Sequence, residues 1–338
     1  MTAHLLAIVV PAFKGRFLAA ALGSVAAQTD QRFALYVCDD GSPEDLGAVY
    51  RDVFATAGED RSFIRFDENW GSQSLVRQWN RCVAQTRGEP WIWLFSDDDI
   101  ADARCVEQFR RALDRGELTG NVCRFNTAIM DGEGAVVEIT PPHPQLESAE
   151  HFAYHRLRLQ RRSFAPEYIF RRAAFDDRGG FVDFPFALGS DDASWITFAG
   201  DEPIFTLSGA RVFWRWSGGN TSSLNGKNRA AKVLALAEFS QWIQTRFGPR
   251  SPDLGDSAPP SQLRMDRIAR DWFFQSTRQL PVGFGYLTAT RVAWMLHRRN
   301  FVGIGEGLVR FWLGVFRGQV NGLAGWLKRV FSGAKNPG

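Results

Sequence analysis

Along the first third of the chain, short continuous apolar runs alternate with stretches whose apolar residues recur at helical spacing. Residues 5–10 form one run, ending at Pro11, and residues 33–38 form another, ending at Asp39-Asp40-Gly41-Ser42. Between them Phe17, Leu18, Ala21, Leu22 and Val25 fall on one helical face, so the segment reads as strand, helix, strand. Strands without polar alternation belong to a parallel sheet covered on both sides, which predicts an α/β fold. Residues 90–94 read as a further buried strand and residues 212–216 as a later one. Ser42, Pro43 and Asp45 read as an N-cap, a first-turn proline and a capping carboxylate opening the next helix.

The run Phe95-Ser96-Asp97-Asp98-Asp99 follows the strand at 90–94 and places three carboxylates in a row. Like charges so close repel and raise one another's pKa, so the strand end is costly unless a divalent cation or cationic ligand neutralises it. Hard oxygen ligands favour Mg2+ or Mn2+, which share carboxylates with substrate phosphates. The competing reading is a solvated acidic turn in which Asp99 or Asp102 caps a helix beginning near Ala103. Asp40 stands at a strand's carboxyl end, where open α/β sheets bind ligands. A second pair, Asp191-Asp192, follows the aromatic loop Phe181-Val182-Asp183-Phe184-Pro185-Phe186. It offers a general base beside an aromatic loop, or else Ser190 or Asp191 caps a helix near Ala193. Arg77 either reaches a diphosphate bidentately or lies solvated on a helix face.

Five segments in order carry a resemblance: Ile8-Val9-Val10-Pro11-Ala12-Phe13, Ala21-Leu22-Gly23-Ser24-Val25-Ala26-Ala27-Gln28-Thr29, Val37-Cys38-Asp39-Asp40-Gly41-Ser42, Asn69-Trp70-Gly71 and Ser96-Asp97-Asp98-Asp99. Together they resemble family 2 glycosyltransferases of the GT-A fold, strongly over residues 4–110 and weakly over 110–225. The resemblance implies a Rossmann-like αβα sandwich with a mostly parallel central sheet. It also implies a nucleotide-diphosphate sugar as donor, Mn2+ or Mg2+ as cofactor, and inverting transfer to a saccharide or lipid-linked acceptor. By that likeness Pro11 and Phe13 form the base wall, Asp40 meets the base, Asp97 faces the nucleotide, and Asp98 and then Asp99 hold the metal. Asp192 would be the base with Asp191 beside it, and Arg215 and Trp216 would begin a loop, Ser217 to Ser223, closing over the diphosphate. Two positions depart from the family pattern: Lys14 stands where asparagine is usual, and Ser96 replaces the first aspartate of the acidic motif.

Charge is distributed unevenly. Residues 251–338 carry 12 Lys and Arg against 5 Asp and Glu, whereas the whole chain of 338 residues is only +3. The expected organisation is a catalytic domain at 1–247, a Pro/Gly/Ser-rich linker at 248–260 and a helical basic region at 261–334 that forms a C-terminal extension. There Ile304, Leu308, Phe311, Val315 and Trp326 trace a helical face beside Arg310, Arg317, Lys328 and Arg329. That face suits either peripheral contact with an anionic bilayer or packing on protein. No apolar run reaches the length of a membrane span, and no basic module argues for nucleic acid. The first ten residues lead into a strand rather than a secretion signal, and Cys38, Cys82, Cys105 and Cys123 lack metal spacing. The expected setting is therefore cytoplasmic, with peripheral attachment to the inner membrane face. Other readings are a nucleotidyltransferase-type enzyme, for which residues 11–15 make a poor phosphate loop, or a non-catalytic nucleotide-sugar binder.

Overall fold

The computed structural model describes residues 4–55, 60–216, 228–248, 264–277 and 292. The chain divides into two compact units, Met1–Ser223 and Leu224–Gly338. The first unit begins β1 (Leu6–Ala12), α1 (Leu18–Ala26), β2 (Ala34–Asp39), α2 (Leu46–Val53), β3 (Arg61–Arg65), α3 (Leu75–Val83) and β4 (Trp91–Leu94). It continues through β5 (Ile100–Ala101), α4 (Cys105–Asp114), β6 (Val122–Met130), β7 (Val136–Ile139), β8 (Leu146–Glu147) and α5 (Ala149–Leu157). The remainder is β9 (Tyr168–Arg171), α6 (Arg172–Asp177), α7 (Ser190–Ala199) and β10 (Ile204–Arg215).

The strands form one mostly parallel sheet in the order β3-β2-β1-β4-β9-β6-β10-β5, with β7 beside β6 and β8 beside β10. β3, β2, β1 and β4 are parallel neighbours, as are β6 and β10, while β9 runs against both its neighbours. Leu6, Ile8 and Val10 of β1 join α1, Leu46 of α2 and Cys105, Val106 and Phe109 of α4 in one core. The alternation along the strand leaves Ala7 and Val9 equally buried, and α3 packs on β1. The sheet is thus buried on both faces, as the unbroken apolar runs require. Beyond β4 the second face is filled by aromatic rings: Phe170 of β9 meets Phe181, Trp195 and Phe198, and Tyr168 stacks on Trp195 with ring centres 4.7 Å apart.

Several helix starts differ from the sequence expectation. Asp45, not Ser42, caps α2, its side chain accepting from the Ala48 amide at 2.9 Å. Ser42 instead donates its hydroxyl to the Phe13 carbonyl at 2.7 Å, tying two loops together. Neither Asp99 nor Asp102 is the cap of α4, whose N-cap is Arg104. α7 starts at Ser190 rather than near Ala193, preceded by Gly189 at φ 83°, a left-handed backbone that suits glycine.

In the second unit α8 (Arg229–Phe247) packs on α9 (Met265–Thr277): the Ser240 hydroxyl donates to the Ala269 carbonyl at 2.9 Å, and Phe239 meets Trp272 edge-on. The first compact unit ends at Ser223, and α8, within the 1–247 expected as the catalytic domain, packs on α9 in the second. Most of that linker, and the stripe from Ile304 onward, lie outside the described residues. Among the described residues no helix is long and apolar enough to cross a membrane.

Trp93 is fully buried in β4, and its ring nitrogen donates to the Pro166 carbonyl at 2.7 Å. Trp93→Ala is expected to cost about 3–5 kcal/mol through the cavity and the stranded carbonyl. Urea unfolding monitored by circular dichroism measures it, and an unchanged midpoint would contradict this packing role.

Candidate active site

β1 and β4 pair only from Leu6↔Trp91 to Val9↔Leu94. Pro11 has no amide hydrogen to extend that ladder, so past this point the two strands part. The parting lies at their carboxyl ends, next to the strand at which sheet order reverses direction in the chain. A cleft of about 520 Å3 opens there, walled by Pro11, Phe13, Lys14, Arg16 and Phe17 on one side and by Ser96, Asp97, Asp98 and Asp99 on another. Asp40, Asn69, Gly71, Gln78, Trp79, Ala165 and Trp214 are also among its lining residues.

The three consecutive aspartates do different work. Asp97 Oδ2 accepts from the Phe13 amide at 3.0 Å and the Lys14 amide at 3.3 Å, clasping the loop after β1 to the end of β4. Burial still pushes its carboxyl above the usual range. Asp98 is pushed up to about 6 by burial and then by the Asp97 charge. Asp99 is fully enclosed; its Oδ1 accepts from the Arg215 amide at 2.7 Å, while Oδ2 has no hydrogen-bond partner among the described residues. Burial, then Asp98, drives this carboxyl well upward. Such costs are borne only where a cation can be taken up or a proton kept.

Asp40 lines the cleft, but its oxygens are engaged. It accepts from the Trp70 amide at 2.9 Å and the Gly71 amide at 2.8 Å, and it pairs with Arg81. A side chain at position 71 would place a carbon 2.6 Å from Asp40 Oδ2, so this approach requires glycine. Arg81 also holds the Glu68 carbonyl and stacks on Phe66 and Trp70. Arg77, in contrast, is exposed, lies over the Trp70 ring and does not line the cleft. Nor do Arg215 and Trp216. The Arg215 guanidinium is buried, donating to the Asp98 carbonyl at 2.8 Å and the Asp131 carbonyl at 3.2 Å, and Trp216 is 63% exposed. It is Trp214 that faces the cleft, stacked on Phe164 with ring centres 4.3 Å apart. The loop from Ser217 to Ser223 lies outside the described residues.

Asp191 and Asp192 sit in the first turn of α7, where the helix terminus favours negative charge. They do not line the cleft. Asp192 is buried, with Arg156 Nε 3.0 Å from its Oδ2, while its Oδ1 has no hydrogen-bond partner among the described residues. Asp191 is pushed up to about 7 by burial and then by the Asp192 charge. Two neighbouring structures connect this pair with the cleft. The Ser74 hydroxyl, capping α3, lies 3.4 Å from Asp183 of the loop before α7, and the turn that carries the cleft residue Ala165 also carries Glu167, which feels the Asp192 charge.

Glu167 belongs to a buried polar set that sequence reading missed. Its carboxyl is pushed up to about 8, chiefly by burial, and its Oε1 lies 3.3 Å from Nε2 of His143, which burial depresses to about 3. Beside them the fully buried Arg124 pairs with Glu147, which also receives Arg161. Isolated charged residues in otherwise apolar strands, such as Arg124 in β6, were the available signal. Arg81 was recoverable too, standing one helical turn after Arg77.

The residues fit a divalent cation only in part. Asp98 and the unpartnered oxygen of Asp99 are hard ligands for Mn2+ or Mg2+, but among the described residues no group of three or more His, Cys, Asp or Glu side chains could hold a metal ion. Asp98 and Asp99 would supply two carboxylates at most, and water and substrate oxygens would have to complete any coordination of Mg2+ there.

An α/β sheet with a carboxylate-lined cleft at the parting of β1 and β4 is the arrangement of a nucleotide-sugar enzyme of the GT-A fold. The model of glycosyl transferase family 2 matches residues 7–177, half of the chain, and the protein belongs to that family; it is a glycosyltransferase. Among solved structures, S. aureus TarS 1–349 in complex with UDP-GlcNAc is similar at TM-score 0.64 and 13% identity, covering 95% of this chain and 92% of that one. The same protein without ligand aligns at 0.52 and 16% over 94% and 91%, and with UDP at 0.50 and 17% over the same shares. No curated protein matches the chain. At these identities the likeness shows the fold.

Glu167 generates a pH prediction. Its carboxyl keeps a proton to about 8 in the fold against an ordinary value of 4.5, so between these values the folded state binds more protons than the unfolded one. Stability from this group is therefore full below the lower value and is lost as pH rises through the upper. Glu167→Gln should flatten the decline of stability across that window. Denaturant titrations at stepped pH test it, and parallel wild-type and variant curves would contradict it.

Proposed function

We propose that this glycosyltransferase is metal-dependent and inverting, moving a sugar from a nucleotide-diphosphate donor to a hydroxyl of a saccharide or lipid-linked acceptor. The observation that carries the reading is the convergence of Pro11, Phe13 and Asp40 with Asp97, Asp98 and Asp99 on one cleft. The apolar wall suits a planar base, and the acidic end suits a cation shared with phosphates. Asp98 and Asp99 would hold Mn2+ or Mg2+, which when bound supplies Lewis-acid stabilisation of the departing diphosphate. Asp97 keeps the loop of Phe13 and Lys14 in place beside that site. Asp192 takes the acceptor's proton through its unpartnered Oδ1, while Arg156 offsets the cost of burying its charge. Asp191, pushed up to about 7 by burial and then by the Asp192 charge, stands beside it. A single attack from the face opposite the leaving group inverts the anomeric centre.

The ligands named for the similar TarS structures, UDP-GlcNAc and UDP, make uridine nucleotides the first donors to test. Synthesis of a bacterial surface polysaccharide or glycolipid is the setting the family likeness suggests, with the chain at the inner face of the cytoplasmic membrane and its basic C-terminal region touching the bilayer peripherally.

Asp98→Asn should abolish Mn2+-dependent strengthening of UDP binding and leave the fold intact, because one anionic ligand is lost while carboxylate repulsion is relieved. Calorimetric titration with and without Mn2+ decides it, and undiminished metal dependence would move the site elsewhere. Asp192→Asn should bind donor as the wild type does yet turn it over about 10²–10⁴-fold more slowly, the range for a lost general base. Steady-state release of UDP from a sugar donor measures this, and normal turnover would reassign the role.

A further inference from the structure

The loop after β1 puts two cations on the wall of the same cleft as the acidic motif. Lys14 and Arg16 both line it, both are exposed, and no ion pair within 4.0 Å engages either among the described residues. Their backbone is held from three sides. Asp97 Oδ2 accepts the Phe13 and Lys14 amides, the Ser42 hydroxyl donates to the Phe13 carbonyl, and the Leu18 amide returns to the Gly15 carbonyl at 3.2 Å. Gly15 in turn lies against the Glu44 carboxylate, where an added side-chain carbon would sit 2.6 Å from Oε2. The Arg16 guanidinium lies over the Phe17 ring at 4.7 Å, and that of Arg215 lies over the same ring at 4.4 Å. The loop is therefore preorganised, and the donor does not have to order it on binding.

We infer that Lys14 and Arg16 form a fixed cationic wall for the donor's diphosphate, so that nucleoside diphosphate binding persists, weakened, when divalent cation is removed. The charge balance of the cleft requires something of this kind. Asp97 is committed to the loop amides, Asp98 and Asp99 offer negative charge, and a diphosphate brings more. Two protein carboxylates and one divalent ion leave that diphosphate uncompensated, and the ammonium and guanidinium on the facing wall are the groups placed to meet it. This inference rests on the donor reading above.

The test is calorimetric titration of the full chain with UDP and with uridine, each in Mn2+ and in EDTA, for the wild type, Lys14→Met, Arg16→Met and Lys14→Arg. Melting temperatures report whether each variant is folded. In EDTA the wild type should still prefer UDP to uridine, and each methionine variant should lose about tenfold in UDP affinity, the equivalent of one charge-assisted contact. Uridine binding should be unchanged, Lys14→Arg should retain most of the UDP affinity, and added salt should narrow the gap between wild type and methionine variants. Wild type that prefers UDP only in Mn2+, or methionine variants that bind UDP as the wild type does in EDTA, would overturn the cationic wall while leaving the donor site standing. Equal losses for UDP and uridine would overturn it in favour of a structural role for the loop. Absence of binding to UDP, GDP and dTDP alike, even in Mn2+, would remove the donor reading and this inference with it.

Discussion

The structure of the site depends on one carboxylate that does no chemistry in the scheme above. Asp97 Oδ2 accepts the amides of Phe13 and Lys14 and so binds the loop leaving β1 to the end of β4, just beyond the point where those strands stop pairing. Among the described residues no other hydrogen bond joins the loop at 13–17 to residues 95–99. With this clasp, Pro11 and Phe13 on one side of the cleft and the acidic residues on the other are held together. A half-buried carboxylate that meets two backbone donors is costly to move, because both amides would lose their partner together with the charge.

The same division of labour recurs at Asp39-Asp40, Asp98-Asp99 and Asp191-Asp192. Asp39 is fully buried and serves the Ser42 amide and Arg65, whereas Asp40 serves the Trp70 and Gly71 amides and Arg81. In Asp98-Asp99 one carboxylate remains half-buried at the cleft and the other is enclosed against the Arg215 amide. In Asp191-Asp192 one meets Arg156 and burial pushes its neighbour up to about 7. Adjacent side chains point in different directions and meet different partners, so a doubled acidic residue is two environments rather than one double charge.

Much of this was legible in the chain. The apolar runs ending at Pro11, Asp39 and Phe95 gave the parallel strands, since only strands covered on both faces lack polar alternation. Asp40 and the acidic triplet were placed at the cleft by the rule that ligands meet α/β sheets at carboxyl ends. The arginines were less legible. Arg77 and Arg81 share a face of α3 one turn apart, and only packing against Phe66 and Trp70 shows that Arg81 reaches Asp40. In β10 two adjacent residues differ: Trp214 faces the cleft and Arg215 turns into the protein; the pleat makes that difference, and the aromatic-basic composition does not.

The sequence by itself determined the order of strands and helices and the residues that crowd charge at strand ends. Periodicity and local charge density act over a few residues and need no knowledge of the rest of the chain. Tertiary structure alone decided which of those charges stayed available. Arg81 and Arg156 come to Asp40 and Asp192 across 41 and 36 positions of chain, and Asp97 spends its carboxylate on amides 83 and 84 positions away. Hydrogen-bond capacity is consumed by whichever groups the fold brings within about 3 Å, and that proximity is a property of packing rather than of spacing.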